Sequence, residues 1–447
     1  MDSMCVVDRR PVERLDCDVL VVGGGAAGVA AAVTAARLGS KVVLLERYGF
    51  CGGAAVAGMS GTLCGLYLAS PGAAGSPEQV VHGFAGEFAR ALDDRGGLTP
   101  PVRYGDTWTR VHDPMIWRDT ADALLGSAGV RVVFHAVVTE VHLEGRERVA
   151  GVRAYTKAGK LDVFASTVID ASGDADVVAM AGLGTTLGDD GRVQNPTMMF
   201  RLQGVDVERF TRRYGPDTIL ARDVERLIEA EQARGEDLPR RKVFLFPTPS
   251  PGQLLCNATR IIGGDGRELV PINWRDLTEA ETRGRAQARA YARFFQRYLE
   301  GCAGAWLVDT GVQVGVRQTR QIDGVEQLRN TDVTEARKRP DGIARSPWPI
   351  ELHSGERPHL AWSYHDFYEV PYGCFVPRTG ESVLVAGRCL SAEHEAMASA
   401  RVTGPCFAYG QAIGLAASLC AREGIAPRSI DGAALRAELR HLDAGLD

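Results

Sequence analysis

The chain contains no C-x-x-C pair and no histidine-rich stretch, although it has ten cysteines, at positions 5, 17, 51, 64, 256, 302, 374, 389, 406 and 420. Zinc, iron–sulfur and dithiol chemistry each need closer ligand spacing than this scatter provides. No metal site is expected, and the thiols read as reduced. No apolar run reaches the length of a membrane span, and the charged opening string MDSMCVVDRRPVERLDC lacks the apolar centre of a secretory signal. A cytoplasmic protein is the expectation. Blocks of like charge are also missing, and a net charge of −5 with mixed signs gives no basis for a nucleic-acid or membrane partner. Lysine is scarce, 5 against 46 arginines, which reads as codon bias.

At 447 residues the chain exceeds the usual size of one hydrophobic core, so two domains are expected. Its most informative stretch is 18–53, which has the pattern of a strand, a glycine turn, a helix and a second strand. Residues 19–22 form a short apolar run suited to a strand buried on both faces. Gly23, Gly25 and Gly28 follow in G-x-G-x-x-G register. The first permits a tight turn, the second lets backbone approach a pyrophosphate, and the third lets the next helix lie close on the strand. Residues 26–37, rich in alanine, are that helix, and Gly39 closes it. Residues 41–45 are the second strand. Glu46 then lies 18 residues after Gly28, the spacing at which a carboxylate accepts from a ribose 2′-OH. An acid there disfavours a 2′-phosphate and therefore NADP, leaving FAD and NAD.

Further on, residues 77–95 have helical spacing, and Asp113-Pro114 reads as an N-cap opening a helix to about Ser127. Strands are expected within 130–143, and a hairpin joins 149–155 to 161–164. The run 167–170 ends in Asp170-Ala-Ser-Gly-Asp174, small residues at the strand edge where ligands of open α/β sheets bind. From 203 to 373 helical patterns (224–234, 277–298) alternate with strand-like runs (242–246, 254–262, 313–317), which reads as an inserted mixed domain. Residues 382–386 are a buried strand, followed by Gly387-Arg388. A long apolar helix over 402–422 carries Gly410 and Gly414 on one face for close packing. The domains expected are therefore 14–202 and 374–425 for a nucleotide-binding α/β unit, 203–373 for the insert, and 426–447 for a tail.

Taken in order, VVGGGAAGVAAAVTAARLGSKVVLLER, CGG at 51–53, DASGDADVVAMAG, CNATRI, GVRQTRQIDG, FYEVPYGCFVP and VAGRCLSAEHEAMASARVTGPCFAYGQAIGLAA resemble the FAD-dependent oxidoreductases with a glutathione-reductase-like FAD-binding fold, notably a group distantly related to succinate dehydrogenase and fumarate reductase flavoproteins. The resemblance implies FAD held by Gly23, Gly25, Ala27, Gly28, Glu46 and Arg47, with Val138 passing the adenine and Ser172, Gly173 and Asp174 flanking the cofactor. It also implies that Gly52 and Gly53 approach the pyrophosphate or ribityl chain, Gly387 and Arg388 the ribityl region, and Thr403 and Gly404 the pyrimidine edge of the flavin. Many relatives carry an acid where this chain has Arg388. Gly182-Leu-Gly184 follows a helical pattern and reads as a helix end, so no second dinucleotide domain is expected.

Hydride removal needs a proton acceptor near the donor carbon and anchors for polar groups. His394, His365, Tyr372 and Arg317 are the candidate catalytic residues, with Asn257, Arg260 and Arg320 as substrate anchors. For His365 the competing reading is a surface turn, and for Arg317 and Arg320 structural ion pairs that bridge domains. The expected enzyme is an FAD-dependent dehydrogenase or oxidase of a small polar metabolite, with oxygen or a nicotinamide as acceptor and the oligomeric state open. The alternatives are a flavin monooxygenase or a non-catalytic FAD-binding subunit.

Overall fold

The computed structural model describes residues 10–220, 222–353 and 359–446. Strand β1 (Glu13–Val22) is exposed at its start and buried at Val19, Leu20, Val21 and Val22, where it enters the sheet. Helix α1 (Ala26–Arg37) and strand β2 (Val42–Leu45) complete the expected opening unit. Parallel pairing gives the order Arg131–Val133, β2, β1, Gly159–Asp170, Val383–Val385. Val22 lies opposite both Leu45 and Asp170, and Asp170 opposite Val385, so four strand ends meet along one edge. The long strand Gly159–Asp170 serves two partners on its other side. Its first half forms an antiparallel hairpin with Arg148–Thr156, and its last residues pair with Val383–Val385.

Small residues hold the layers together. A Cβ on Gly28 would overlap the Gly23 carbonyl, and one on Gly410 or Gly414 would overlap the carbonyls of Ala27 or Ala31. The helix Thr403–Glu423 therefore lies in backbone contact with α1, and Ala27, Ala30, Ala31, Ala32 and Ala35 of α1 are buried.

A second core, running from Met198 to Val314, surrounds an antiparallel sheet ordered Phe244–Pro247, Gln253–Asn257, Phe200–Gln203, Trp306–Thr310, with the helix Trp274–Tyr298 packed on it. This core is narrower than the insert expected over 203–373. Ile322, Leu328, Val333, Ile343, Tyr368 and Val370 pack into the first core instead, where their burial is completed. The stretch 313–317 is not a strand but a crossing, with one bridge from Gly315 to Thr197 and a bond from Gln313 N–H to Ala57 O (3.0 Å). The helix expected from residue 77 begins at Phe84, because Gly83 turns at φ +61° and the preceding Val80 N–H bonds Leu66 O. In the expected tail, the helix Gly432–Arg440 docks Leu435 and Leu439 on the first core. Among the described residues no helix is long and apolar enough to cross a membrane.

Candidate active site

A cleft of about 330 Å³ runs along the shared strand edge and under the second core. Its first wall is a cradle of close backbones. Gly23 turns at φ +104°, and a Cβ there would strike Ala171. A Cβ on Gly53 would come within 2.9 Å of Gly25 Cα, and Gly52 N–H bonds Gly24 O (2.8 Å), which pins the 52–53 loop over the glycine turn. Gly25 itself faces open space: a Cβ there meets only Gly53 Cα, at 4.0 Å. The buried Glu46 carboxylate accepts from Gly24 N–H (2.7 Å) and Tyr48 N–H (2.9 Å), and burial raises its pKa. The helices beginning at Ala26 and Thr403 both open onto this cleft, and their positive ends suit an anionic or electron-rich ligand.

Behind the cradle, Asp170 accepts from Ser172 and from Val177 and Val178 N–H, capping the short helix that follows. The Arg388 guanidinium lines the cleft and donates to Asp174 (2.6 Å) and to Val316 O (3.1 Å). A basic residue at this position is thus balanced by a carboxylate from the middle motif. Arg388 and the Thr319 hydroxyl, which is 2.6 Å away, keep the Asp174 carboxyl below the usual range despite its burial.

The inner end of the cleft is aromatic and polar. Tyr104 stacks on Phe244 and tilts against Trp348, with ring centroids 5.4 and 5.3 Å away. Its hydroxyl donates to Glu351 (2.6 Å), which also faces His353 Nε2 (3.3 Å). His353 Nδ1 lies 3.2 Å from an Arg240 nitrogen. Arginine is only a donor, so Nδ1 accepts and the ring proton sits on Nε2, toward Glu351. Burial, then the facing Arg317, pushes His353 well below the usual histidine range. Burial opposes ionisation of Glu351, but the His353 ring, the Tyr104 hydroxyl and Arg401 together hold it below the usual carboxylate range.

The cleft brings together Gly23, Gly25, Ala27, Glu46, Arg47, Gly52, Gly53, Val138, Ser172, Gly173, Gly387, Arg388, Thr403, Asn257 and Arg317. Gly28, Asp174 and Gly404 stand behind its wall, Gly404 donating to Cys64 O at 2.9 Å. His394, His365 and Tyr372 do not reach it. His394 starts the helix His394–Ala400 away from the cleft, half-buried near Asp189 and Glu268. His365 is exposed in a turn at φ +55°, and its N–H bonds Ala69 O. The buried Tyr372 hydroxyl donates to Pro427 O (3.0 Å) and ties the C-terminal segment to the first core. Arg320 turns to Asp176 and to Asp174 O, also outside the cleft. Arg260 lies in a chamber beyond the inner wall.

Sequence reasoning missed Tyr104, Trp348, Glu351, His353 and Arg401. One signal was present: Glu351 and His353 are two apart at the strand Ile350–Leu352, and so share a face.

A parallel sheet with a glycine turn at its strand edge, and a second core closing over that edge, is a dinucleotide-binding arrangement. The chain belongs to the FAD dependent oxidoreductase family, whose pattern it matches over residues 18–439. It is an FAD-dependent oxidoreductase, and FAD is its cofactor. The cradle fits that group, since side chains at Gly23 and Gly53 would collide with the backbone while Gly25 leaves room for a ligand. A segment of 38 residues is 63% identical to urocanate reductase of Eggerthella lenta, covering 8% of this chain and 6% of the length of that protein. The fold is similar to a geranylgeranyl bacteriochlorophyll reductase-like protein from Thermoplasma acidophilum, at 17% identity and TM-score 0.50, over 96% of this chain and 83% of that one. It is also similar to p-nitrophenol 4-monooxygenase from Pseudomonas putida DLL-E4, at 14% identity and TM-score 0.51, over 93% and 83% of the two chains.

Proposed function

We propose that the protein oxidises a small polar metabolite, as a dehydrogenase or oxidase, at the inner end of this cleft. Bound FAD supplies the two-electron acceptor for hydride. The observation that carries the reading is the polar cluster of Glu351, His353, Arg317 and Asn257, walled by Tyr104, Phe246 and Trp348, on the same cleft as the glycine cradle. The aromatic wall excludes water and fixes the pose of a substrate, and the asparagine and arginine anchor its polar groups. Glu351 is the ionised proton acceptor on that wall, held in place by the Tyr104 hydroxyl and the His353 ring. His353 is spanned between Arg240 and Glu351, so it positions the carboxylate rather than taking the proton itself.

The test is a metabolite screen for anaerobic bleaching of the purified yellow protein. Bleaching by one class of small polar metabolite is the expected result. Nicotinamide oxidation that depends on substrate, with oxygen entering the product, would instead assign a monooxygenase. Colourless protein that cannot be reconstituted with FAD would end the reading.

A further inference from the structure

A groove of about 640 Å³ lies between the helix Gly432–Arg440 and the paired strands Gly342–Ser346 and Tyr368–Pro371, and it shares no lining residue with the cleft. Ala433, Arg436, Ala437 and Arg440 line it from the helix. Spaced three and four apart, they form one helix face, and the short alanines leave room between the arginines. The other side carries Lys338, Arg339, Arg345 and Phe367, with Glu369 as the one carboxylate of the lining among the described residues. Lys338 and Arg339 are balanced beside the groove: Lys338 pairs with Asp366 (2.6 Å), and Arg339 with Glu326 (2.6 Å) and Asp341 (3.1 Å). Glu369, 3% exposed, accepts from Arg436 (2.8 Å) and from the Arg339 N–H (2.9 Å), and Arg345 Nε lies 3.5 Å from it. Arg436 also donates to Gly342 O (2.6 Å), and the Arg345 guanidinium rests on the Phe367 ring, 4.6 Å from its centroid. Arg440 donates from Nε to Leu446 O (3.0 Å), and its two terminal nitrogens have no partner among the described residues. Three guanidinium groups thus stand around one carboxylate, each fixed by a backbone, ring or carboxylate contact.

We propose that this groove is a second ligand site, separate from the flavin cleft, for the phosphate monoester of a small soluble metabolite. Such a group carries close to two negative charges at neutral pH and three strong acceptor oxygens, which matches three guanidinium groups set against one carboxylate. Arginine forks bind phosphate oxygens in pairs, and Arg440 and Arg345 supply them from opposite sides of the groove. The space over Ala433 and Ala437 is of the size that takes the organic part of a metabolite.

The experiment is a calorimetric titration of ribose 5-phosphate into the FAD-loaded full chain, with ribose and acetate as comparisons and flavin absorbance followed throughout. Ribose 5-phosphate should bind once per chain, release no flavin and bind more weakly as salt rises. Acetate, with one charge, should bind more weakly, and ribose should not bind. Arg440→Gln, at an exposed position, should keep the melting temperature of the parent and weaken ribose 5-phosphate about tenfold, the loss of one charge-assisted contact. Arg345→Gln should weaken it to a similar degree. The proposal is overturned if ribose 5-phosphate does not bind, if acetate binds as tightly, if both substitutions leave its affinity unaltered, or if its binding displaces FAD. Sedimentation with vesicles of phosphatidylcholine and phosphatidic acid, without binding of ribose 5-phosphate, would also overturn it and assign the groove to a lipid headgroup.

Discussion

Gly25 and Gly23 are two residues apart, yet they meet different constraints. Gly23 needs its positive φ and has the Ala171 carbonyl against it, so its glycine serves the fold. Gly25 sits at φ −70° with room for a methyl group, so its glycine serves a ligand. Gly25→Ala should therefore fold with the melting temperature of the FAD-free parent while losing affinity for FAD, measured by fluorescence titration. At the inner wall, Glu351→Gln keeps the shape but cannot accept a proton. It should lower turnover by about a hundredfold with FAD content unchanged. His112 is buried against Trp117 with both ring nitrogens unpartnered among the described residues, and burial lowers its pKa from 6.5 to about 4. A folded pKa below the unfolded one means that the unfolded chain protonates first. Stability is whole above pH 6.5 and falls as the pH drops toward 4, by on the order of 3 kcal/mol. Denaturant melts at pH 7.5 and 4.5 should show this loss, and His112→Phe should reduce it.

At the scale of elements, local rules decide the structure where one segment satisfies its own needs. Helix α1 was expected over 26–37 and spans Ala26–Arg37. Asp113 caps its helix by accepting from Met115 and Ile116 N–H, as its place before Pro114 implied. Where partners lie far away in the chain, local pattern and structure part. Residues 77–83 carry helical spacing but are claimed by backbone bonds to Leu66 and Tyr67. Residues 313–317 alternate like a strand but cross between domains. Gly410 and Gly414 were expected to pack closely, and their partner proved to be α1. Gly414→Val should separate the two helices and cost about 3 kcal/mol of overpacking, seen as a fall in melting temperature.

At the scale of the molecule, the two cores meet over the cleft, and bonds beside Glu46 tie the second core to the first. Gln313 Oε1, on the crossing from the second domain, accepts from Arg47 (2.8 Å) and from the Tyr48 hydroxyl, both beside Glu46. Gln313→Ala should leave the fold intact and speed the release of FAD, followed by the rise in flavin fluorescence on dilution. The glycine turn, the acid at the end of β2 and the late helix were legible in the chain, because each is set by backbone geometry within a few dozen residues. They determined the FAD-binding fold and most of the cradle. The histidines were not legible in this way. His365 and His394 looked as chemical as His353, and only the packing of distant segments buried one beside Arg240, Arg317 and Glu351 while leaving His365 in water and His394 outside the cleft. The inner wall and its charge were decided by tertiary structure, because desolvation and electrostatics depend on which segments converge, and no local pattern records that.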